Sequence, residues 1–363
     1  MYVLFGEKSV NQPLRFLKYK PLLLKIVTVT IMLIMTLAAC NTQPANTPTP
    51  TPSITPTPSS TSTPTPAPLG SSQNPLRIAF LQETESNRRN EISRNEIRDN
   101  LRELTGYEFE IVVFDKATDL VNAFKEQKIH LGWLQPLSYI HSQNQGWVKI
   151  GLLTNHFGTF YYGTQFLANV ESGYISYFDP LSNLSTSDAQ TALAQLSGSR
   201  PCWVEPGSIS GYILPFGILE QLGIRTQNGV FAQTHPAVVR SLYIKGICDF
   251  GVTFSISGDP RTSSQVISDL TDASQRVIII WQTNPDIPNL NLSYSTAVSE
   301  SMIMEINAAF LELVKTSDGK RRLTQALNDY DVQDLQVVDD SVYDPLRSAV
   351  RWAGVDLAEW IGR

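Results

Sequence analysis

Cysteine is scarce in this chain of 363 residues: Cys40, Cys202 and Cys248 are the only three, beside four histidines. His130, His141, His156 and His235 are scattered, and no Cys/His spacing of the metal-ligating kind exists, so neither a metal nor a cofactor is expected. A G-x-S-x-G elbow and a phosphate loop closed by lysine are both missing, which argues against a hydrolase or nucleotidase. No internal repeat of fixed period runs along the chain. Acid and base are absent altogether from Asn41 to Asn74, a stretch of Thr, Pro and Ser with repeated Thr-Pro pairs. Such a segment has too little apolar surface to fold. Basic residues are also in the minority, 28 Lys and Arg against 34 Asp and Glu, for a net charge of −6. Without its first 40 residues the chain carries a formal charge of −10. That excess argues against nucleic acid or anionic lipid as the main partner. A small anion answers to local dipoles and is not excluded.

The N-terminus speaks of location. Arg15, Lys18, Lys20 and Lys25 precede an uncharged, mostly apolar run from Ile26 to Ala39. That run is shorter than the roughly 20 apolar residues a bilayer span needs, and it reads as a signal peptide. It ends in Leu37-Ala38-Ala39-Cys40, which resembles a bacterial lipobox and implies lipidation at Cys40. Residues 1–40 are therefore expected to be a lipoprotein signal peptide and 41–75 a disordered Thr/Pro-rich tether, reaching on the order of 100 Å if extended as polyproline. The expected place is the extracytoplasmic face of a bacterial cell membrane, with the lipid holding the protein there.

Beyond the tether, short apolar runs alternate with helical patterns. Leu76 to Leu81, Phe109 to Phe114, Ile129 to Leu134 and Val148 to Leu153 read as strands. Between them, Glu91 to Thr105 reads as a helix with apolar Ile92, Ile97, Leu101 and Leu104, followed by helices over Asp119–Gln127 and Leu137–Asn144. The alternation resumes from Cys202 to Trp281. It predicts an α/β protein of two lobes, 76–165 with 285–363 and 166–284, each a mostly parallel sheet flanked by helices. Tyr161–Ala168 and the Pro- and Asn-rich Asn284–Asn291 are the expected crossings. Cys202 and Cys248 stand at the starts of two predicted strands; whether they are joined stays open at this point.

Residues 201–215 carry the most chemistry. A short strand, Cys202 to Val204, is turned by Pro206-Gly207, and Ser208 and Ser210 fall where a helix begins. A helix start presents N–H groups without internal partners and a partial positive charge, and two hydroxyls beside it make a basket for an oxyanion. Ser208 or Ser210 as an ordinary N-cap is the alternative. In open α/β sheets ligands bind beyond the carboxyl ends of the strands, here in a cleft between the lobes.

Five blocks in order resemble the substrate-binding proteins of phosphate, phosphite and phosphonate ABC transporters. They are Leu76-Arg77-Ile78-Ala79-Phe80, Leu131 to Tyr139 (Leu-Gly-Trp-Leu-Gln-Pro-Leu-Ser-Tyr), Glu205 to Tyr212 (Glu-Pro-Gly-Ser-Ile-Ser-Gly-Tyr), Thr234 to Val238, and Asp339 to Leu346. The resemblance implies the type II periplasmic-binding fold, binding rather than catalysis, a monomer, and an ABC permease as partner; a ligand sensor of the same fold feeding a signalling partner is the alternative. It places ligand contacts at Ser208, Ile209, Ser210, Gly211, His235 and Tyr162, although His235 is equally a helix-start residue and Tyr162 a core aromatic. Trp133 and Tyr139 are read as lobe packing. Departures matter as well. Ile209 replaces a Thr, Ala117 falls where aminophosphonate binders have Tyr, and Ile256 and Leu290 fall where they have acids, with Asp259 and Asp286 displaced. A buried ammonium without a carboxylate is costly, so aminoethylphosphonate is not the expected ligand. Ile209, Ile256 and Leu290 are expected to form one apolar side of the pocket, which suits a compact oxyanion or equally an anion with an apolar tail.

Overall fold

The computed structural model of the protein describes residues 66–82 and 88–361. The expected signal peptide, residues 1–40, and most of the expected tether lie outside the described residues. Within the span 41–75, Leu69 packs on the core and Gly70, with a φ of +85°, opens a turn closed by the Gly70 N–H on Asn74 O. Leu69 is the first large apolar side chain after the Thr/Pro run, and burying it fixes the segment.

The first part of the chain runs β1 (Leu76–Leu81), α1 (Arg88–Thr105), β2 (Phe109–Phe114), α2 (Ala117–Lys125), β3 (Leu131–Leu134), α3 (Pro136–Asn144) and β4 (Val148–Asn155). The middle part runs β5 (Tyr161–Asn169), a small ribbon of β6 (Phe178–Asp179) and β7 (Leu184–Ser185), α4 (Ala189–Leu193), β8 (Pro201–Trp203), α5 (Leu214–Gln221), β9 (Val230–Phe231), α6 (His235–Ile244), β10 (Phe250–Ser255), α7 (Ser264–Ile267), α8 (Ala273–Arg276) and β11 (Val277–Gln282). The last part adds β12 (Ile287–Pro288), β13 (Asn291–Ser295), α9 (Glu300–Leu313), α10 (Ser317–Ala326), β14 (Asp334–Val337), α11 (Asp344–Trp352) and α12 (Leu357–Ile361).

Two sheets form. The first has the order β14-β4-β13-β3-β1-β2, the second β11-β5-β10-β8-β9 with β12 on β5. Each has a parallel part, β2-β1-β3 and β10-β8-β9, where strand–helix alternation demands it. The strands reached through the crossings run antiparallel: β5 on β10 and β11, β13 on β3 and β4. The chain passes between the sheets twice, at 155–161 and 282–291, and there Tyr162 pairs with Ile287 and Tyr161 with Pro288. Two adjacent strands of this kind form a hinge about which two lobes can close.

β13 sits in the middle of the first sheet, although its sequence, Asn-Leu-Ser-Tyr-Ser, reads as the end of a polar crossing. All five residues are buried. The polar ones are satisfied by side chains: Asn291 Nδ2 donates to Leu134 O at 3.0 Å and Tyr343 Oη at 2.9 Å, Ser293 Oγ to Asn291 Oδ1 at 2.6 Å, and Tyr294 Oη to Asn307 Oδ1 at 2.8 Å. In α1 only Ile97 and Leu101 of the four expected apolar contacts are buried; Ile92 and Leu104 face solvent. Their place in the interior is taken by Arg94, whose guanidinium donates to Ala326 O and Leu81 O and to Asn328 Oδ1.

The C-terminal helices reach back across the molecule. α11 packs on α5 so closely that a Cβ added at Gly217 lies 2.3 Å from Ala349 O, and Trp360 of α12 stands beside Gly207 in the turn before the basket. The turn at 206–208 is thus buttressed by the chain's C-terminal helices.

Cys202, at the start of β8, and Cys248, just before β10, are joined by a disulfide with Cα atoms 5.6 Å apart. The bond closes a 46-residue separation, and in the chain-entropy account such a loop is worth about 4 kcal/mol. Reduction should lower the melting temperature of the protein by several degrees, measured by scanning calorimetry with and without reductant; an unchanged melt contradicts a stabilising role for the bond.

Candidate functional site

The site grows out of the end of β8. Val204 continues it, with its N–H on Gly211 O and its carbonyl accepting from Gln233 N–H. Pro206-Gly207 turns the chain, and Ser208, in extended backbone, starts the helix. Its first turn, Ile209–Ile213, is wound as a π-turn before α5 continues. π-turns recur at functional sites because they re-aim the first residues of a helix.

Ser208 does cap the helix: its Oγ accepts from Gly211 N–H at 3.0 Å. The Tyr212 and Ile213 N–H groups both go to Ser208 O. That leaves the N–H groups of Ile209 and Ser210 without an acceptor among the described residues. The Ser208 hydroxyl, having accepted one bond, still holds a proton to donate. Ser210 is 4% exposed, and its hydroxyl has no hydrogen-bond partner among the described residues. Capping and anion binding are therefore compatible at Ser208.

Gly211, the sixth of the expected residues, is buried and is not among the residues lining the cavity; its N–H goes to Ser208 Oγ. A Cβ there lies 2.4 Å from Val204 Cγ2 and 2.7 Å from Ser208 Oγ, so the glycine lets the serine cap approach.

A cavity of about 510 Å³ opens in front of this turn, lined by Ser208, Ile209, Ser210, His235 and Tyr162, five of the six residues singled out from the sequence. Phe254, Ser257, Gly258, Asp259 and Ser263 complete the same side. From the first lobe come residues that sequence reasoning missed: Gln135 and Pro136 at the start of α3, His156, Phe157, Pro288, Asn289 and Tyr330, together with Leu290. Ile256 is not in the wall. Its φ of +75°, unusual for a β-branched residue, turns the chain after β10 and presents Ser257 and Gly258 instead.

His235 is the first residue of α6, which Thr234 caps by accepting from Ala237 N–H. Its Nδ1 accepts from Phe254 N–H at 3.3 Å. The ring proton is therefore on Nε2. Burial pushes the His235 pKa down from 6.5 to about 4, so at neutral pH His235 is an uncharged donor. Tyr162, half-buried on β5, has its phenol pKa raised by burial and then by Tyr330, so it too keeps its proton. Facing them, the Tyr330 ring stacks on His156 with centroids 4.0 Å apart. His156 Nδ1 bonds Asp331 O at 2.8 Å. Phe157 and Gly158, both with positive φ, form the two-residue turn between β4 and β5 and leave Phe157 63% exposed at the rim.

No lysine or arginine is among the described lining residues. The one formal charge is Asp259, and Arg261 holds it with Nε at 3.1 Å and Nη2 at 2.8 Å. Among the described residues no group of three or more His, Cys, Asp or Glu could hold a metal ion. The wall thus offers neutral donors and the starts of α3, α6 and the π-turn helix, all positive ends of helix dipoles. That is the chemistry of an oxyanion receptor. Asp286 lies outside the wall, and burial raises its pKa to about 6.

These ionisations have a signed consequence. A histidine whose pKa falls on folding contributes stability that is complete above 6.5 and lost as pH drops toward 4, an effect of up to about 3 kcal/mol for a shift of this size. His130, likewise buried and lowered to about 4, acts in the same direction, whereas Asp286 gains stability as pH falls through about 6. Comparing thermal melts of the wild type and His235→Gln between pH 7 and 4 isolates the first contribution. The variant should lose less melting temperature over that window; parallel curves contradict a half-buried His235 held neutral by desolvation.

A family described as "ABC transporter, phosphonate, periplasmic substrate-binding protein" matches residues 83–343, well over half of the chain. The chain belongs to this family. Its members are solute-binding proteins of ABC transporters, not enzymes, and work outside the cytoplasm with a membrane permease. Among solved structures, XAC2383 from Xanthomonas citri is similar in fold: bound to chloride ion, at TM-score 0.54 and 14% identity over 77% of this chain and 97% of that one, and bound to ATP, at TM-score 0.52 and 14% identity over 77% and 96%. PhnD1 from Prochlorococcus marinus MIT 9301, in complex with methylphosphonate, matches at TM-score 0.46 and 15% identity over 76% and 97%.

Proposed function

We propose that this protein is a lipid-anchored, extracytoplasmic receptor that captures a phosphorus oxyanion of the phosphate, phosphite or phosphonate type and delivers it to an ABC permease. The observation that carries the ligand reading is the Ser208–Ser210 turn. Two unpartnered backbone N–H groups, two hydroxyls and the His235 Nε2–H belong to residues that line one cavity, whose described lining residues include no lysine or arginine. The guest's oxygens take bonds from these donors, and each bond to a charged acceptor is worth about 1.5–3 kcal/mol. Tyr162 and the crossings then allow the lobes to close over the guest. The anchor reading rests on Leu37-Ala38-Ala39-Cys40 and on the uncharged stretch that follows it.

The same wall disfavours an amine. The one carboxylate among its described lining residues, Asp259, is already committed to Arg261, so this wall offers an ammonium no free counter-ion. Titration calorimetry of the purified protein with phosphate, phosphite, methylphosphonate and aminoethylphosphonate tests the proposal. One of the first three should bind more tightly than the amino compound. Tightest binding by aminoethylphosphonate, or no binding by any of the four, contradicts it.

A further inference from the structure

A second cavity of about 250 Å³ adjoins the cleft on its first-lobe side, and Gln135, Leu290 and Tyr330 line both spaces. Its other walls carry Leu81 at the end of β1, Leu120 of α2, Trp133 and Leu134 of β3, and Leu327 after α10, beside the polar Ser138 and the Trp133 Nε1–H, which is buried without a partner among the described residues. Ala117, the exposed first residue of α2, stands in its wall, where any larger side chain would take up space. The polar amide of Asn328 is already engaged, with Nδ2 on Leu81 O at 2.7 Å and Oδ1 accepting from Arg94 and Asn90. All these residues belong to the first lobe, so a closing motion of the second lobe leaves the compartment its volume.

We infer that this annex receives the carbon substituent of the ligand, which makes the natural guest a phosphonate, or a related phosphoryl anion, bearing one apolar group about the size of a phenyl ring or a six-carbon chain. The inference rests on the reading of the Ser208–Ser210 turn as the anion seat. Two observations set the size and character of the substituent. An apolar cavity of about 150 Å³ already holds benzene, so 250 Å³ takes a ring or short chain with room to spare. Asp329, an exposed carboxylate in the wall, disfavours a second anionic end and, being solvated, attracts a cationic one only weakly. A bare oxyanion leaves the whole annex to water, whereas a substituent removes apolar wall from it. Each methylene so buried is worth about fourfold in affinity.

The test is a calorimetric series of methyl-, propyl-, hexyl- and phenylphosphonate on the wild type and on Ala117→Phe and Ser138→Leu, two substitutions that fill the annex from different walls. Hexyl- or phenylphosphonate should bind at least tenfold more tightly than methylphosphonate, and both variants should shrink that ratio to below threefold. Ala117 is exposed, so its variant reports even if the buried Ser138 change disturbs folding. A wild-type ratio at or below one, or a ratio that both filled variants retain, overturns the inference while leaving the oxyanion seat standing. Failure of every phosphonate and of phosphate to bind overturns the seat itself, and this inference with it.

Discussion

Replacing Ser210 with valine should weaken methylphosphonate binding by about a hundredfold while leaving the melting temperature nearly unchanged. The reasoning turns on how this hydroxyl is used. Ser210 is buried in the cavity wall, yet its hydroxyl has no partner among the described residues. Removing it breaks no bond of the folded protein, so stability should move by less than about 1 kcal/mol. With an anion bound, the loss includes a charge-assisted hydrogen bond of roughly 1.5–3 kcal/mol, and the new methyl groups keep water from replacing it. Paired calorimetry and thermal melts check both halves. A binding loss below threefold means that the hydroxyl does not face the guest; a large fall in melting temperature means that it serves the fold.

Gly217→Val should have the opposite signature, a large loss of stability. The added Cβ meets the Ala349 backbone oxygen at 2.3 Å, and a main-chain atom cannot rotate away. α5 and α11 must separate. Overpacking of this kind costs typically 1–3 kcal/mol and occasionally more, and the β-branch adds further crowding. A drop in melting temperature of roughly 6–12 °C is expected, at about 2–4 °C per kcal/mol for a domain of somewhat smaller size. Because α11 and α12 buttress the turn that carries Ser208, methylphosphonate affinity should fall as well. A melt within 2 °C of wild type contradicts the close packing of these helices.

Much of this architecture was legible in the chain because most of its strands are buried on both faces and read as unbroken apolar runs, such as Ile78-Ala79-Phe80 or Cys202-Trp203-Val204. β13 escaped for the converse reason. Its asparagine and serines carry the signal of a surface crossing, and only their partners, Leu134 O, Tyr343, Asn291 and Asn307, make burial affordable. Arg94 is a similar case: nothing local distinguishes a guanidinium that will find carbonyls from one that faces water.

The turn proposed as the anion seat was legible because one continuous segment builds it, turn, cap and helix start together. The opposite wall was not, since Gln135, His156, Phe157 and Tyr330 come from separate places and meet only through the first sheet's topology. Phe157-Gly158 alone left a trace, as a turn dipeptide between two strands. Ile256 shows the limit of reading position as direction: its left-handed backbone turns the side chain out of a wall to which its place in the chain pointed.

A crystal structure of the protein with methylphosphonate tests the central claim most directly. The phosphonate oxygens should lie within about 3 Å of the Ser208 and Ser210 hydroxyls and the Ile209 and Ser210 N–H groups, with His235 Nε2 as a further donor. Phosphonate density bound elsewhere with that turn empty would contradict it.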